Sequence, residues 1–311
     1  MRAVAIAGNQ QLAGRIAIVT GGASGIGRAL AEELAARGCT VVLADRQVEF
    51  ARDIALTLEK RGATAWAADL DVRDLAAFEA LALNVRARFG RIDLLFNNAG
   101  IGVGGGMDSY APEDWDDVFD VNLRGVANGV QAVYPIMIEQ RSGQIVNTAS
   151  MAGLIASPSL GSYTASKHAV VGLTKALRVE ATRFGVRASV LCPGMVRTPI
   201  LTGGRFGRLN LTLTEEEILR LWERFRPMAP ELFARRAVDA VLRNQAVIVL
   251  PRWWKVLWYL ERLSPWLSLR ISEAMHRRQE AELVEAGAHA ARPAPDHERQ
   301  RRLSRRASLS G

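Results

Sequence analysis

Tyr163 and Lys167 stand four residues apart in a stretch whose apolar spacing predicts a helix over 163–184, so both side chains fall on one helix face. A free tyrosine, with a pKa near 10, holds its proton too tightly to exchange it readily at neutral pH. A neighbouring ammonium stabilises the phenolate, so the pair predicts an unusually acidic phenol suited to proton transfer. On an isolated helix the same spacing would describe a snorkelling surface pair. Ser150 argues against that: it closes a predicted strand over 144–149, where its hydroxyl can meet a substrate oxygen as charge develops there.

A second constellation lies near the amino end. Thr20-Gly21-Gly22-Ala23-Ser24-Gly25-Ile26-Gly27 follows one apolar run and opens another of helical period. Glycines let the backbone turn sharply and approach a phosphate without a Cβ in the way. The helix end then offers free N–H groups and positive dipole character to the anion. Asp45 ends the next apolar run, where a carboxylate can accept both adenosine ribose hydroxyls and would repel a 2′-phosphate. That favours NAD. Arg46 is adjacent and suits a 2′-phosphate, which leaves NADP open.

The elements needed to position these residues alternate along the chain. Strands are expected over 16–20, 40–44, 64–68, 92–96, 144–149, 186–191 and 246–250. Between them, helices are expected over 26–37, 48–61, 75–89, 112–139 and 163–184. Such alternation predicts an α/β fold: a Rossmann-type, doubly wound parallel sheet covered on both faces, in a single domain with a helical carboxyl appendage. Residues 1–13 form an amino-terminal segment with no signal-peptide pattern, 14–250 the catalytic domain, 251–285 an aromatic helical appendage, and 286–311 a basic tail expected to be disordered. Within the domain, 198–230 reads as a substrate lid, with Thr214 and Glu217 as a capping box.

With these residues in hand, the chain resembles the short-chain dehydrogenase/reductase family over roughly 12–250. The glycine segment matches the family's TGxxxGxG, including Gly21, Ser24, Gly25, Ile26 and Gly27. Asn97-Asn98-Ala99-Gly100 matches its NNAG element, Ser150 with Tyr163 and Lys167 its serine and YxxxK, and Pro193-Gly194-Met195-Val196-Arg197-Thr198 its PGxVxT segment. The resemblance implies that Asp71 and Val72 hold the adenine ring, that Asn98, Ala99 and Gly100 lie along the coenzyme, and that Pro193, Gly194, Val196 and Thr198 line its nicotinamide side. It implies that Lys167 also binds the nicotinamide ribose, that Asn122 completes the catalytic group as anchor of a water relay, and that the protein is a homodimer or homotetramer.

The implied activity is hydride transfer between NAD(P) and an alcohol or carbonyl carbon, on an apolar steroid- or lipid-like substrate. A 3-oxoacyl thioester reductase using NADPH and a non-catalytic dinucleotide-binding scaffold are the alternatives. His168, beside Lys167, reads as structural, and no histidine cluster suggests a metal.

Composition sets the remaining bounds. Hydrophobic residues make up 49% and charged residues 23%, too polar for a polytopic membrane protein. The two cysteines, Cys39 and Cys192, lie in apolar runs, which suits a reduced, cytoplasmic setting. Of the net charge of +8, residues 292–311 supply +4, six arginines against Asp296 and Glu298. No stacking platform accompanies those arginines, so no nucleic-acid partner is expected. In the appendage, Trp253, Trp254, Trp258, Tyr259 and Trp266 alternate with Arg252, Lys255 and Arg262. Two readings stand side by side: contact of 251–267 with a membrane surface, or burial of the same rings against protein.

Overall fold

The computed structural model describes residues 12–203, 207–209, 214–223 and 225–285. Most of the segment 1–13 and all of the tail 286–311 lie outside them. Nine strands and ten α-helices are found among the described residues. The first half runs β1 (Ile16–Thr20), α1 (Gly25–Ala36), β2 (Thr40–Asp45), α2 (Val48–Lys60), β3 (Ala65–Asp69), α3 (Leu75–Phe89), β4 (Leu94–Asn97) and β5 (Gly102–Gly104). Next come α4 (Pro112–Phe119), α5 (Gly125–Gln140), β6 (Gly143–Thr148), α6 (Gly161–Ala181), β7 (Val186–Pro193) and β8 (Gly207–Leu209). The chain continues through α7 (Glu215–Glu223), α8 (Pro230–Leu242), β9 (Val247–Leu250), α9 (Lys255–Leu263) and α10 (Pro265–Glu285).

Seven strands form one sheet in the order β3-β2-β1-β4-β6-β7-β9, and every pairing is parallel. Such a sheet is buried on both faces, and β1 shows how. Ala17 and Val19 point into a core with Leu30, Leu34, Ile54 and Phe233. Their neighbours Ile16 and Ile18 point the other way, into a core with Phe78, Val85, Val133 and Leu177. All five residues of β1 are buried, which is why the run reads as unbroken apolar sequence. After β1 the strands progress outward to β2 and β3, then return to β4 on the other flank. That reversal opens a crevice at the carboxyl ends of β1 and β4.

Three features depart from the sequence-based expectation. The helix expected over 112–139 is two helices joined by a π-helical turn, Asp120–Arg124. The extra residue rotates Asn122 inward, where it is fully buried. A second, two-stranded parallel sheet pairs β5 with β8, Gly102 opposite Gly207. Arg208 fastens it by donating from Nε to Asp114 at 2.7 Å and from a terminal nitrogen to Asp117 at 3.0 Å. The long helix expected to reach 184 ends as α-helix at Ala181 and tightens into a 3₁₀ turn before Gly185.

The capping box is formed: Thr214 N donates to Glu217 Oε2 at 2.8 Å, and Glu217 N to Thr214 Oγ1 at 3.4 Å. Within the lid span, 204–206, 210–213 and 224 lie outside the described residues. After β9 a 3₁₀ turn, Arg252–Trp254, leads into α9. Arg252 therefore precedes the helix on which Lys255 and Arg262 stand. No helix among the described residues is long and apolar enough to cross a membrane.

Candidate active site

The crevice at the strand ends is a cleft of about 1030 Å³, part of it open to solvent. Gly21, Ser24, Gly25 and Ile26 form one wall, and Asp45, Arg46, Asp71 and Val72 stand around the same end. Asn98, Ala99 and Gly100 run along its floor, with Tyr163, Lys167, Pro193 and Thr198 at the far end.

Local sequence explains the shape of the phosphate turn. Gly21 has φ +66°, a left-handed conformation that costs an L side chain energy and glycine nothing. A Cβ on Gly21 would also meet the Ala99 backbone at 2.9 Å, so the turn can sit against the segment after β4 only without one. Thr20 ties the two together. Its Oγ1 accepts from Asn98 N at 2.9 Å and Ala99 N at 3.1 Å, while Asn98 Nδ2 donates to Thr20 O at 3.2 Å. Gly27 lies behind the turn rather than in the cleft. A Cβ there would collide with the Gly21 carbonyl and approach Asn98 Nδ2 to 2.6 Å.

Asp45 is 9% exposed and held in place by two backbone amides. Ala23 N donates to Oδ2 at 3.0 Å and Gln47 N to Oδ1 at 2.9 Å. A carboxylate has lone pairs beyond these two, so both oxygens retain acceptor capacity toward a vicinal diol. Asp71 is engaged by Arg73, whose Nε lies 3.0 Å from both carboxylate oxygens. That hydrogen bonding holds the Asp71 carboxyl below its usual range, with Arg46 adding positive potential from the same side.

At the other end, Lys167 is almost wholly buried and donates from Nζ to Thr148 O at 2.9 Å. Burial pushes its pKa down to about 8. Its Nζ lies 5.4 Å from the centroid of the Tyr163 ring. The Tyr163 phenol is pushed up by burial, against a hydrogen bond from the Ser150 side chain that pulls it down. This corrects the expectation of a phenol acidified by its amine neighbour. The Lys167 ammonium is aimed at the Thr148 carbonyl, and burial of the phenol outweighs the Ser150 hydrogen bond. Ser150 Oγ also accepts from Ala152 N at 3.1 Å.

Asn122 stands behind the cleft, bonding both backbone groups of Ile101 and reaching Ser166 Oγ at 3.3 Å. Two residues expected along the nicotinamide side, between Pro193 and Thr198, also have packing roles. Val196 is buried in the sheet core and bridges to Met228. Gly194 is pressed under the indole of Trp254, where a Cβ would lie 2.6 Å from Cδ1. Sequence reading placed Thr20 in the glycine segment without a role and missed Gln47, Thr148, Ile101 and Ile200. Thr20 and Thr148 end β1 and β6, a position that marks strand-edge residues of such a sheet; Ile200 carries no local signal.

A parallel sheet with this switch point, a glycine turn leading into a helix, and a tyrosine–lysine pair in the same cleft define a dinucleotide-binding oxidoreductase fold. A family model described as short chain dehydrogenase matches residues 15–205, more than half of the chain. Oxidoreductase UcpA of Salmonella typhimurium is 40% identical over 191 residues, 61% of this chain and 72% of that protein. Levodione reductase of Leifsonia aquatica is 42% identical over 190 residues, 60% of this chain and 71% of that protein. A short-chain dehydrogenase/reductase from Burkholderia phymatum, solved in complex with NAD, superposes with a TM-score of 0.75 at 36% identity and covers 82% of this chain and 95% of its own. The chain belongs to the short-chain dehydrogenase family, oxidoreductases of CH–OH and carbonyl groups that use NAD(P).

Proposed function

We propose that this protein is an NAD-linked dehydrogenase or reductase that interconverts an apolar alcohol and its ketone or aldehyde, with Tyr163 as the proton-transfer residue. The observation that carries the reading is the convergence of Tyr163, Lys167, Asp45 and the glycine turn on a single cleft.

The cleft suits a dinucleotide on its own chemistry. The turn has no room for side chains at Gly21, the amino end of α1 offers backbone N–H groups, and Asp45 has acceptor capacity for a ribose diol. When bound, the nicotinamide supplies or accepts the hydride. Lys167 and the segment Asn98–Gly100 bind along it, and Ser150 donates to the substrate oxygen and orients it. Tyr163 gives its proton to that oxygen in reduction and takes it back in oxidation. A cationic coenzyme ring beside the phenol would add the positive charge needed to offset the effect of burial. Ile101 and Ile200 add apolar surface to the cleft, which supports the substrate class.

Asp45 supports NAD as the preferred coenzyme. Arg46 lines the same cleft and keeps alive an NADPH-dependent reductase of 3-oxoacyl thioesters. The expected assembly is a homodimer or homotetramer, to be read by light scattering. The deciding experiment follows the absorbance of reduced nicotinamide across a panel of apolar alcohols, ketones and acyl thioesters with either coenzyme. NAD-dependent turnover of hydrophobic alcohols or ketones is expected. Coenzyme binding with no transfer to any member would leave a dinucleotide-binding scaffold.

A further inference from the structure

We propose that the carboxyl-terminal helices dock the protein on an anionic lipid surface through a single exposed face of α9. Val256, Tyr259 and Leu263 occupy one stripe of that helix and are 69%, 52% and 86% exposed. Trp253 at 54% and Trp266 at 71% exposure continue the stripe at its two ends. The opposite side of the same helix, with Trp258, and Trp254 of the preceding 3₁₀ turn pack against the body beside Leu154, Val171 and Val249. The helix is thus apolar on both sides, and only one of them is covered.

The polar residues bordering the stripe identify what it fits. Lys255 and Arg262, seven positions apart, run along one edge of it, and Arg252 and Arg270 lie beyond its ends. Arg262 also stacks over the Trp258 ring at 5.6 Å, holding its charge beside the stripe. Over 252–270 there are four cations and one anion, Glu261. A second copy seated on this face about a twofold axis would bring those cations against themselves, which a self-complementary interface avoids. An anionic bilayer meets both demands: phosphate for the cations, and an interfacial layer in which Trp and Tyr rings satisfy apolar body and polar edge together. The stripe arises at the carboxyl end of β9, and Gly194 N donates to Leu250 O at 2.8 Å. The docking face therefore begins at the same edge of the sheet as the cleft. The chief packing partner of α10 among the described residues is α9, which leaves that helix available to the same surface.

Flotation of the full chain with phosphatidylcholine vesicles, and with the same vesicles containing phosphatidylglycerol, tests this. The wild type is expected to float with the anionic vesicles only, with release at high salt and a blue shift of tryptophan emission on binding. A variant carrying Val256→Ser, Tyr259→Ser and Leu263→Ser is expected to lose flotation while keeping its thermal midpoint. It retains the basic residues of 286–311, so the loss cannot be charged to them. Flotation unchanged in that variant, or absent in the wild type, overturns the proposal. So does a wild type that never floats but whose oligomer shrinks on the triple substitution, which assigns the face to a second copy. Coenzyme binding and turnover on a soluble substrate do not enter either readout, so this test and that of the proposed reaction fail separately.

Discussion

The Asn122 carboxamide holds both backbone polar groups of Ile101: Nδ2 donates to Ile101 O at 2.9 Å and Oδ1 accepts from Ile101 N at 2.8 Å. The π-helical turn aims Asn122 at the strand-like segment after β4, so this side chain spaces the catalytic helix region from the coenzyme floor. Asn122→Ala leaves two backbone groups short of partners and is expected to cost about 2 kcal/mol of stability. Urea denaturation measures it. A midpoint within error of wild type would remove the clamp from the account.

Tyr163→Phe deletes one hydroxyl and changes little else in the cleft. Turnover is expected to fall by roughly 3 orders of magnitude, the middle of the range for a general acid–base group. NAD affinity, read by fluorescence titration, should stay within about twofold, because the ring remains over Lys167. Activity near the wild-type level would refute the assignment.

Lys167 gives a pH signature. Its pKa is about 8 in the protein against 10.5 as an ordinary lysine. A lowered lysine pKa means the folded chain sheds the proton first. The burial penalty is therefore present in full below pH 8 and is relieved as pH rises from there to 10.5. Relative to Lys167→Met, the coenzyme-free wild type should gain stability by roughly 3 kcal/mol across that window. Denaturant titrations of both proteins at neutral and alkaline pH test it, and a constant gap contradicts it.

Asp45→Ser removes the carboxylate from the ribose end of the cleft. NAD affinity should drop by roughly tenfold to a hundredfold, the loss of one or two charge-assisted hydrogen bonds. NADP should gain relative to NAD, with Arg46 already on the same wall. Competition between the two coenzymes reads the ratio, and an unchanged ratio excludes Asp45 as the discriminator.

Gly27→Ala tests the back of the phosphate turn. The new methyl would meet the Gly21 carbonyl and lie 2.6 Å from Asn98 Nδ2, both held by the Thr20 network. Loss of dinucleotide binding and a destabilisation of about 2 kcal/mol are expected. Calorimetric titration with NAD, alongside a melt, separates the two effects.

What could be read from sequence follows from distance along the chain. Ile16–Thr20 announces a buried parallel strand because both faces are covered and no polar alternation intrudes, and Val186–Pro193 does so over its apolar second half, beyond the exposed Arg187. The glycine turn and Asp45 are legible because strand, turn and helix are contiguous. The β5–β8 pair is not, since Gly102 and Gly207 are over a hundred residues apart and each strand has three residues, too few for a periodic signal. Nor does the pattern through Pro112–Gln140 betray the π-helical turn, because one additional residue shifts a helical phase without breaking it. The direction taken by the Lys167 ammonium depends on the Thr148 carbonyl, which only the folded sheet supplies.

The contact between Trp254 and Gly194 limits how this chain can be recombined with its relatives. The indole fills the volume that any Cβ at position 194 would claim, and its Nε1–H is buried without an acceptor among the described residues. Grafted onto another member of the family, this tail would seat only where the recipient keeps a bare backbone at the matching turn. The dependence runs one way: the Trp254 indole needs a bare backbone at position 194, whereas the glycine belongs to a turn that the family has without this tail.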